Sequence, residues 1–231
     1  MDEDRGPRAL LSATMRAGAD LVVPVTCGGC GRAGRHWCAR CARRLSDTPI
    51  ECVPRVSPHV PVWALGRYRG PHRHAVIALK EHGRRDLAEP LGLALARAIT
   101  TLARWAELPD AARLLVVPAP TRRLAARRRG GDPVLTIARH AAEALGAGVR
   151  LQPTLMIAAG TRDSAGLDAR ERARNLRGAV RPSPSARAPG ADDVTIVVDD
   201  VLTTGATVAE SVRVLTTGGH RVAAAVVIAV A

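Results

Sequence analysis

The 231-residue sequence contains no phenylalanine, one tyrosine and three tryptophans, and only one of its 34 Lys and Arg residues, Lys80, is a lysine. Each scarcity removes a class of function. Four aromatic rings supply little for a base-stacking platform, which argues against a dedicated single-strand binder built on stacking. A Walker A loop needs its lysine directly after glycine, and Lys80 follows Leu79, so a P-loop nucleotide site is excluded. The longest apolar run, Val222 to Ala231, is far too short to span a bilayer. The first apolar stretch, Ala9 to Val25, is interrupted by Arg16 and Asp20, unlike the core of a secretory signal. A cytoplasmic location is expected, and in a reducing compartment the five cysteines read as metal ligands before disulfides.

What the chain does hold is positive charge. The formal net charge is +13 and the sequence pI about 11.3. Two readings are open: a codon bias toward arginine, or a surface made for polyanions such as nucleic acid or a phosphorylated metabolite. The arginines are spread along the chain instead of forming one tract.

The length suits one α/β domain with a small appendage. Ala9 to Ala19 has helical spacing and Pro24 stops it. Residues 1–55 are expected to form this helix and a cysteine module, and the proline-rich segment Asp47 to Pro61 an extended connector leaving it. Residues 56–231 alternate strands and helices: strands at 62–68, 114–118, 149–157, 194–198 and 222–230, helices at 74–80, 87–105, 134–145 and 207–215. Apolar, β-branched strands separated by helices predict an α/β fold with a mainly parallel twisted sheet, which binds ligands beyond the carboxyl ends of its strands. Residues 160–180 are charged and poor in bulky apolar side chains, and 181–193 read as a flexible loop.

The stretch VTIVVDDVLTTGAT, residues 194–207, carries the most chemistry. Asp199 and Asp200 are placed at the carboxyl end of a buried strand, where vicinal hydroxyls of a ligand can donate to both carboxylates. Thr203, Thr204, Gly205, Ala206 and Thr207 then turn the chain into a helix, and the N–H groups and hydroxyls of such a turn cradle a phosphate monoester. A sugar phosphate satisfies both ends. The competing readings are a Walker B strand, which has no Walker A partner here, and a purely structural strand and turn. The latter leaves two adjacent carboxylates repelling each other with nothing bound.

Upstream, Arg122, Arg123, Arg127, Arg128 and Arg129 follow a short strand and a proline-rich turn. Guanidinium forks there can clamp a pyrophosphate in bidentate fashion, or simply solvate a helix end. Nearer the amino terminus, Cys27-Gly-Gly-Cys30 and Cys38-Ala-Arg-Cys41 are two CxxC turns separated by seven residues, the pattern of a closed tetrahedral four-cysteine zinc site that holds fold and leaves no open position. A redox dithiol is the alternative. Cys52 reads as a buried or spare thiol.

The acidic pair flanked by apolar residues and followed by Thr-Thr-Gly-x-Thr closely resembles the phosphoribosyl pyrophosphate signature of type I phosphoribosyltransferases. With the cysteine pairs and the arginine segment, the chain resembles the ComF family over nearly its whole length. Pro118, Pro120, Arg123, Arg127, Arg129 and Gly130 fit the family's arginine segment, while Gly131, Asp132 and Pro133 replace its usual Phe-Asn-Gln. Thr161, Leu167, Arg172, Asn175, Leu176, Gly178 and Ala179 fit a second block, with Ser164 in place of a glutamine. The resemblance implies a type I phosphoribosyltransferase fold with an N-terminal zinc module. It implies that Asp199 and Asp200 hold the ribose hydroxyls and act in catalysis, and that residues 203–207 wrap the 5-phosphate. Mg2+ is implied to bridge pyrophosphate and ribose. Residues 160–180 become a mobile lid bearing Arg170, Arg172 and Arg174, and Lys80 a candidate for approaching the pyrophosphate. The implied chemistry is loss of pyrophosphate from the anomeric carbon and capture by a nitrogen nucleophile. A link to natural competence and the handling of incoming single-stranded DNA is also implied. The alternatives are a non-catalytic sensor of phosphoribosyl pyrophosphate or a single-stranded-DNA-handling factor, and a cysteine module that docks a helicase or other uptake component.

Overall fold

In a computed structural model of the chain, the structure describes residues 25–121, 126, 130–158 and 178–231. The expected helix at 9–19, Arg122, Arg123, Arg127, Arg128, Arg129 and the 159–177 segment with Arg170, Arg172 and Arg174 lie outside the described residues.

In chain order the elements are α1 (Ala39–Leu45), β1 (Ile50–Cys52), β2 (Val62–Ala64), α2 (Gly70–Glu81), a 3-10 turn at Arg85–Leu87, α3 (Ala88–Arg104), β3 (Arg113–Pro118), α4 (Pro133–Leu145), β4 (Val149–Leu151), β5 (Leu155–Ile157), β6 (Val180–Pro182), β7 (Asp193–Leu202), α5 (Ala206–Thr217) and β8 (Val222–Val230). Six strands form one sheet in the order β1-β2-β8-β7-β3-β4, and only β1 runs antiparallel to its neighbour. The fold is therefore α/β with a mainly parallel mixed sheet. No helix among the described residues is long and apolar enough to cross a membrane.

The central strands explain themselves. In β7 and β8 almost every side chain is buried, because helices cover both faces and leave no solvent side to alternate toward. Strand alternation sends Val116, Ile196, Val198, Val226 and Ile228 to one face, against α2, α3 and α4, and Val117, Val197, Ala225 and Val227 to the other, against α5. On α3, Leu91, Leu95, Ile99 and Leu102 repeat at helical spacing and are fully buried, each contributing about 1.5–3 kcal/mol of transfer free energy. Helix α4 crosses α3 at Gly92, where a Cβ would lie 2.5 Å from His140 Cβ and 2.7 Å from the Ile137 carbonyl.

Several segments depart from the sequence-based expectation: the strand expected over 62–68 ends as β2 at Ala64, and the loop expected at 181–193 gives Arg181 and Pro182 to β6. The stretch expected as one strand over 149–157 divides into β4, an edge of the main sheet, and β5, which pairs antiparallel with β6. Pro153, which has no N–H to donate, sits at the division. The proline-rich connector contributes β1, whose Ile50, Glu51 and Cys52 pair with Ala64, Trp63 and Val62. Cys52 is buried in the α5-side core.

Candidate functional site

The end of β7 is half open for a structural reason. β3 pairs with β7 up to Pro118 opposite Val198, and the Ala119 N–H still donates to the Val198 carbonyl at 2.8 Å. Proline at 118 and 120 gives the ladder no donor to continue with. β8, by contrast, follows β7 to its end, pairing Asp199 with Val227, Val201 with Ala229 and Leu202 with Val230. Asp199 to Leu202 is thus sheet on one side and free edge on the other.

Alternation separates the two carboxylates. Asp199, in step with Val197, lies on the α5 face and lines a shallow cleft with Thr203, Gly205, Ala206 and Thr207 that encloses about 20 Å3 and opens to solvent. Asp200, in step with Val198, lies on the α2 face and is buried against Lys80, whose Nζ stands 2.8 Å from its Oδ2. Lys80, near the end of α2, therefore reaches the acidic pair. Asp199 Oδ1 also accepts the Asp200 N–H at 2.8 Å. Burial first, then the neighbouring Asp200 charge, pushes the Asp199 carboxyl up to about 7, against the lowering pull of Lys80.

A third carboxylate completes the surroundings. Asp132, which in the sequence stands only as a departure from the ComF pattern, caps α4: its Oδ1 accepts from the Val134 and Leu135 N–H groups and from Thr121 Oγ1 at 3.1 Å. Asp followed by Pro before an amphipathic run is the signature of a capped helix with proline in its first turn, and that signal was available in the sequence. Burial raises the Asp132 carboxyl above its ordinary range, with a smaller push from the Asp200 charge, and the Asp132 charge is in turn felt at Asp199.

The turn between β7 and α5 is held from behind. Gly205 has φ +86°, a left-handed conformation, and a Cβ there would lie 2.5 Å from Pro54 Cβ and 2.7 Å from the Val56 carbonyl. The Val56 N–H donates to the Thr204 carbonyl at 2.9 Å, so the connector leaving β1 braces the turn. Thr204 Oγ1 accepts the Ala206 N–H at 3.3 Å, while Thr203 is exposed and Thr207 half-buried. The N-cap residue Gly205 has no side chain to cap α5, and beyond the Ala206 N–H taken by Thr204 the first turn lines the cleft through Thr207 and Val208.

The stem of the 159–177 segment docks beside this turn. The Ala158 N–H donates to the Ala179 carbonyl at 2.8 Å, and the Gly178 N–H donates to Glu210 on α5 at 2.7 Å. Ala179 and Ala206 pack together with Val56.

The four cysteines form a second centre. The Sγ atoms of Cys27, Cys30, Cys38 and Cys41 all lie within 4.8 Å of one another, and Cys30 and Cys38 Sγ are 3.7 Å apart. A tetrahedron with metal–sulfur bonds of ~2.3 Å has sulfur–sulfur edges of about 3.8 Å. The cluster is therefore positioned to hold a metal ion, and among the described residues it is the one such group. Two N–H bonds, Cys27 to the Arg32 carbonyl and Gly28 to the His36 carbonyl, close the first knuckle. The Cys41 N–H, with neighbouring thiols, holds Cys38 down to about 6, while burial pushes Cys41 up, so loading the site must displace a proton from Cys41. The module is tied to the sheet domain by Arg84, which donates to the Thr26 and His36 carbonyls, and by His74 Nδ1, 3.0 Å from the Gly29 carbonyl. No family model matches the chain, and no curated protein matches it.

Proposed function

We propose that the chain binds phosphoribosyl pyrophosphate at the Asp199–Thr207 cleft and transfers its phosphoribosyl group to a nitrogen nucleophile. One observation carries this reading: a carboxylate at the open end of a central parallel strand shares a single cleft with the first turn of α5. Thr203 to Thr207 offer N–H groups and hydroxyls to a 5-phosphate, aided by the helix dipole. Asp199 accepts from the ribose hydroxyls, and Lys80 holds Asp200 beside it until a ligand hydroxyl competes. Mg2+ needs few protein ligands and takes most of its oxygens from the substrate, which suits a site with one carboxylate facing the cleft; bound, it would neutralise the departing pyrophosphate. Zn2+ suits the four-cysteine cluster in a purely structural role. The resemblance to type I phosphoribosyltransferases and the ComF family supports the same reading and extends it to DNA uptake. It also nominates Arg123, Arg127 and Arg129 for the pyrophosphate and Arg172 for the lid.

Calorimetric titration with phosphoribosyl pyrophosphate and Mg2+ tests the proposal. Binding that disappears in Asp199→Asn with Asp200→Asn supports it, and equal affinity in that variant overturns it. The Lys80–Asp200 pair favours a second reading, binding without transfer, because it leaves one carboxylate facing the cleft. Pyrophosphate release on adding amines or nucleobases separates the two, since a sensor releases none.

A further inference from the structure

The largest cleft described lies away from the acidic pair, between the cysteine module and the start of α2. It has a volume of about 740 Å3, within the range of ligand sites. Two pairs of arginines face it from two walls. Arg40 and Arg44 are four residues apart on α1 and so share one helical face. Arg67 and Arg69 flank Tyr68 in a tight turn after β2, the Arg69 N–H donating to the Arg67 carbonyl at 2.7 Å, and both line the cleft. None of these four guanidinium groups makes a hydrogen bond or ion pair with the described residues, and a single carboxylate, Asp47, lines the cleft.

Other features point the same way. The first turn of α2, a twelve-residue helix with no side-chain cap, opens into this cleft through Gly70 and Pro71. His72, 9% exposed, lines it too. Like charges gathered in a concave surface repel one another and are stabilised by a bound counter-charge. Apart from two histidines, no aromatic ring lines the cleft, so a ligand there is read by charge and not by stacking.

We propose that this cleft is a second anion site, separate from the Asp199–Thr207 cleft, and that it holds a ligand carrying two or more phosphate groups in a row. A free polyphosphate and a phosphodiester strand present the same chemistry, and both are probes. The 231-residue chain is titrated with inorganic tripolyphosphate and with a short thymidine homopolymer at low salt. Wild-type protein is expected to bind at least one probe, and Arg67→Glu with Arg69→Glu to weaken that probe at least ten-fold; these positions lie on the wall opposite the cysteines. For the strand, the dependence of log affinity on log salt should flatten by about 0.7 per lost phosphate contact. Tighter binding of the homopolymer per phosphate identifies a strand as the source, and tighter binding of tripolyphosphate a free polyphosphate.

A control pair, Arg150→Glu with Arg181→Glu, removes the same charge from exposed positions elsewhere and should change affinity less than two-fold. If the charge-reversed pair fails to fold by circular dichroism, Arg67→Gln with Arg69→Gln takes its place with the same expectation. Failure of both probes to bind wild-type protein overturns the proposal. So does an equal loss in the control pair, or loss of the probe in Asp199→Asn with Asp200→Asn. That last variant also keeps this site distinguishable from the phosphoribosyl pyrophosphate reading, on which it does not depend.

Discussion

The cysteine cluster and the acidic cleft are opposite solutions to concentrating like charge in a protein. The cluster brings four acidic thiols together at one point, within 4.8 Å, so that one cation can satisfy them all. The cleft holds its carboxylates apart: strand alternation sends Asp199 and Asp200 to different faces, Lys80 neutralises one, and Asp132 is committed to capping α4. The first arrangement brings its four ligands to one point, whereas the second keeps unspent acceptor capacity at a surface a ligand can reach.

The largest break in this comparison should come from Cys38→Ser. Removing one thiolate from a four-thiolate site is expected to lower bound metal from one equivalent to none and to melt the module, because metal binding there is folding energy, on the order of 10 kcal/mol in small zinc domains. Metal analysis after dialysis checks it, and circular dichroism should show the sheet domain retained.

Next in size is the ion pair. Lys80→Met strands a buried carboxylate and should destabilise the chain by about 2–3 kcal/mol in chemical denaturation, below the usual cost for a fully buried pair because the Lys80 side chain is 28% exposed. Gly205→Ala should cost about 1–3 kcal/mol, through the left-handed φ of +86° and the 2.5 Å approach of Pro54 Cβ. Pairing it with Pro54→Gly, which removes the clashing Cβ, should recover part of the steric cost and leave the Val56 carbonyl contact and the backbone part.

The smallest effect concerns protons. Asp199 titrates at about 7 in the folded chain against 3.8 as its ordinary value, so the native state holds a proton that the unfolded state releases. That proton favours folding below pH ~4, and the stabilisation is lost as pH rises to about 7, beyond which stability is flat with respect to this group. Asp199→Asn removes the slope, and at pH 8 it should be more stable than wild type by about 1–2 kcal/mol, taking half or less of the full linkage because the group is only part-buried. Denaturation at pH 5 and pH 8 measures the difference.

How much of this could be read in the residues follows the same contrast. The cysteine pairs were legible because all four ligands fall within fifteen residues, and local spacing is geometry. Strands β7 and β8 and helices α3 and α4 were legible because continuous apolar runs and a 3.6-residue stripe each allow one solution. β1 was not: Ile50 and Glu51 are exposed, prolines flank them, and only the pairing with β2 makes them a strand. For the cleft, the sequence supplied Asp199, Asp200 and the threonine turn but not the open edge beside them, which depends on where β3 stops. It named Lys80 without a partner, because that contact joins α2 to β7 from a distant part of the chain, and left Asp132 without a role although its capping signal is local.

The fit of Pro54 against Gly205 has a consequence for how this protein can change. A residue that belongs to the segment descending from the cysteine knuckles and one that forms the bend before α5 occupy a single volume. A side chain can grow at Gly205 only if Pro54 and the Val56 backbone give way, so the bend is tied to the segment that leans on it.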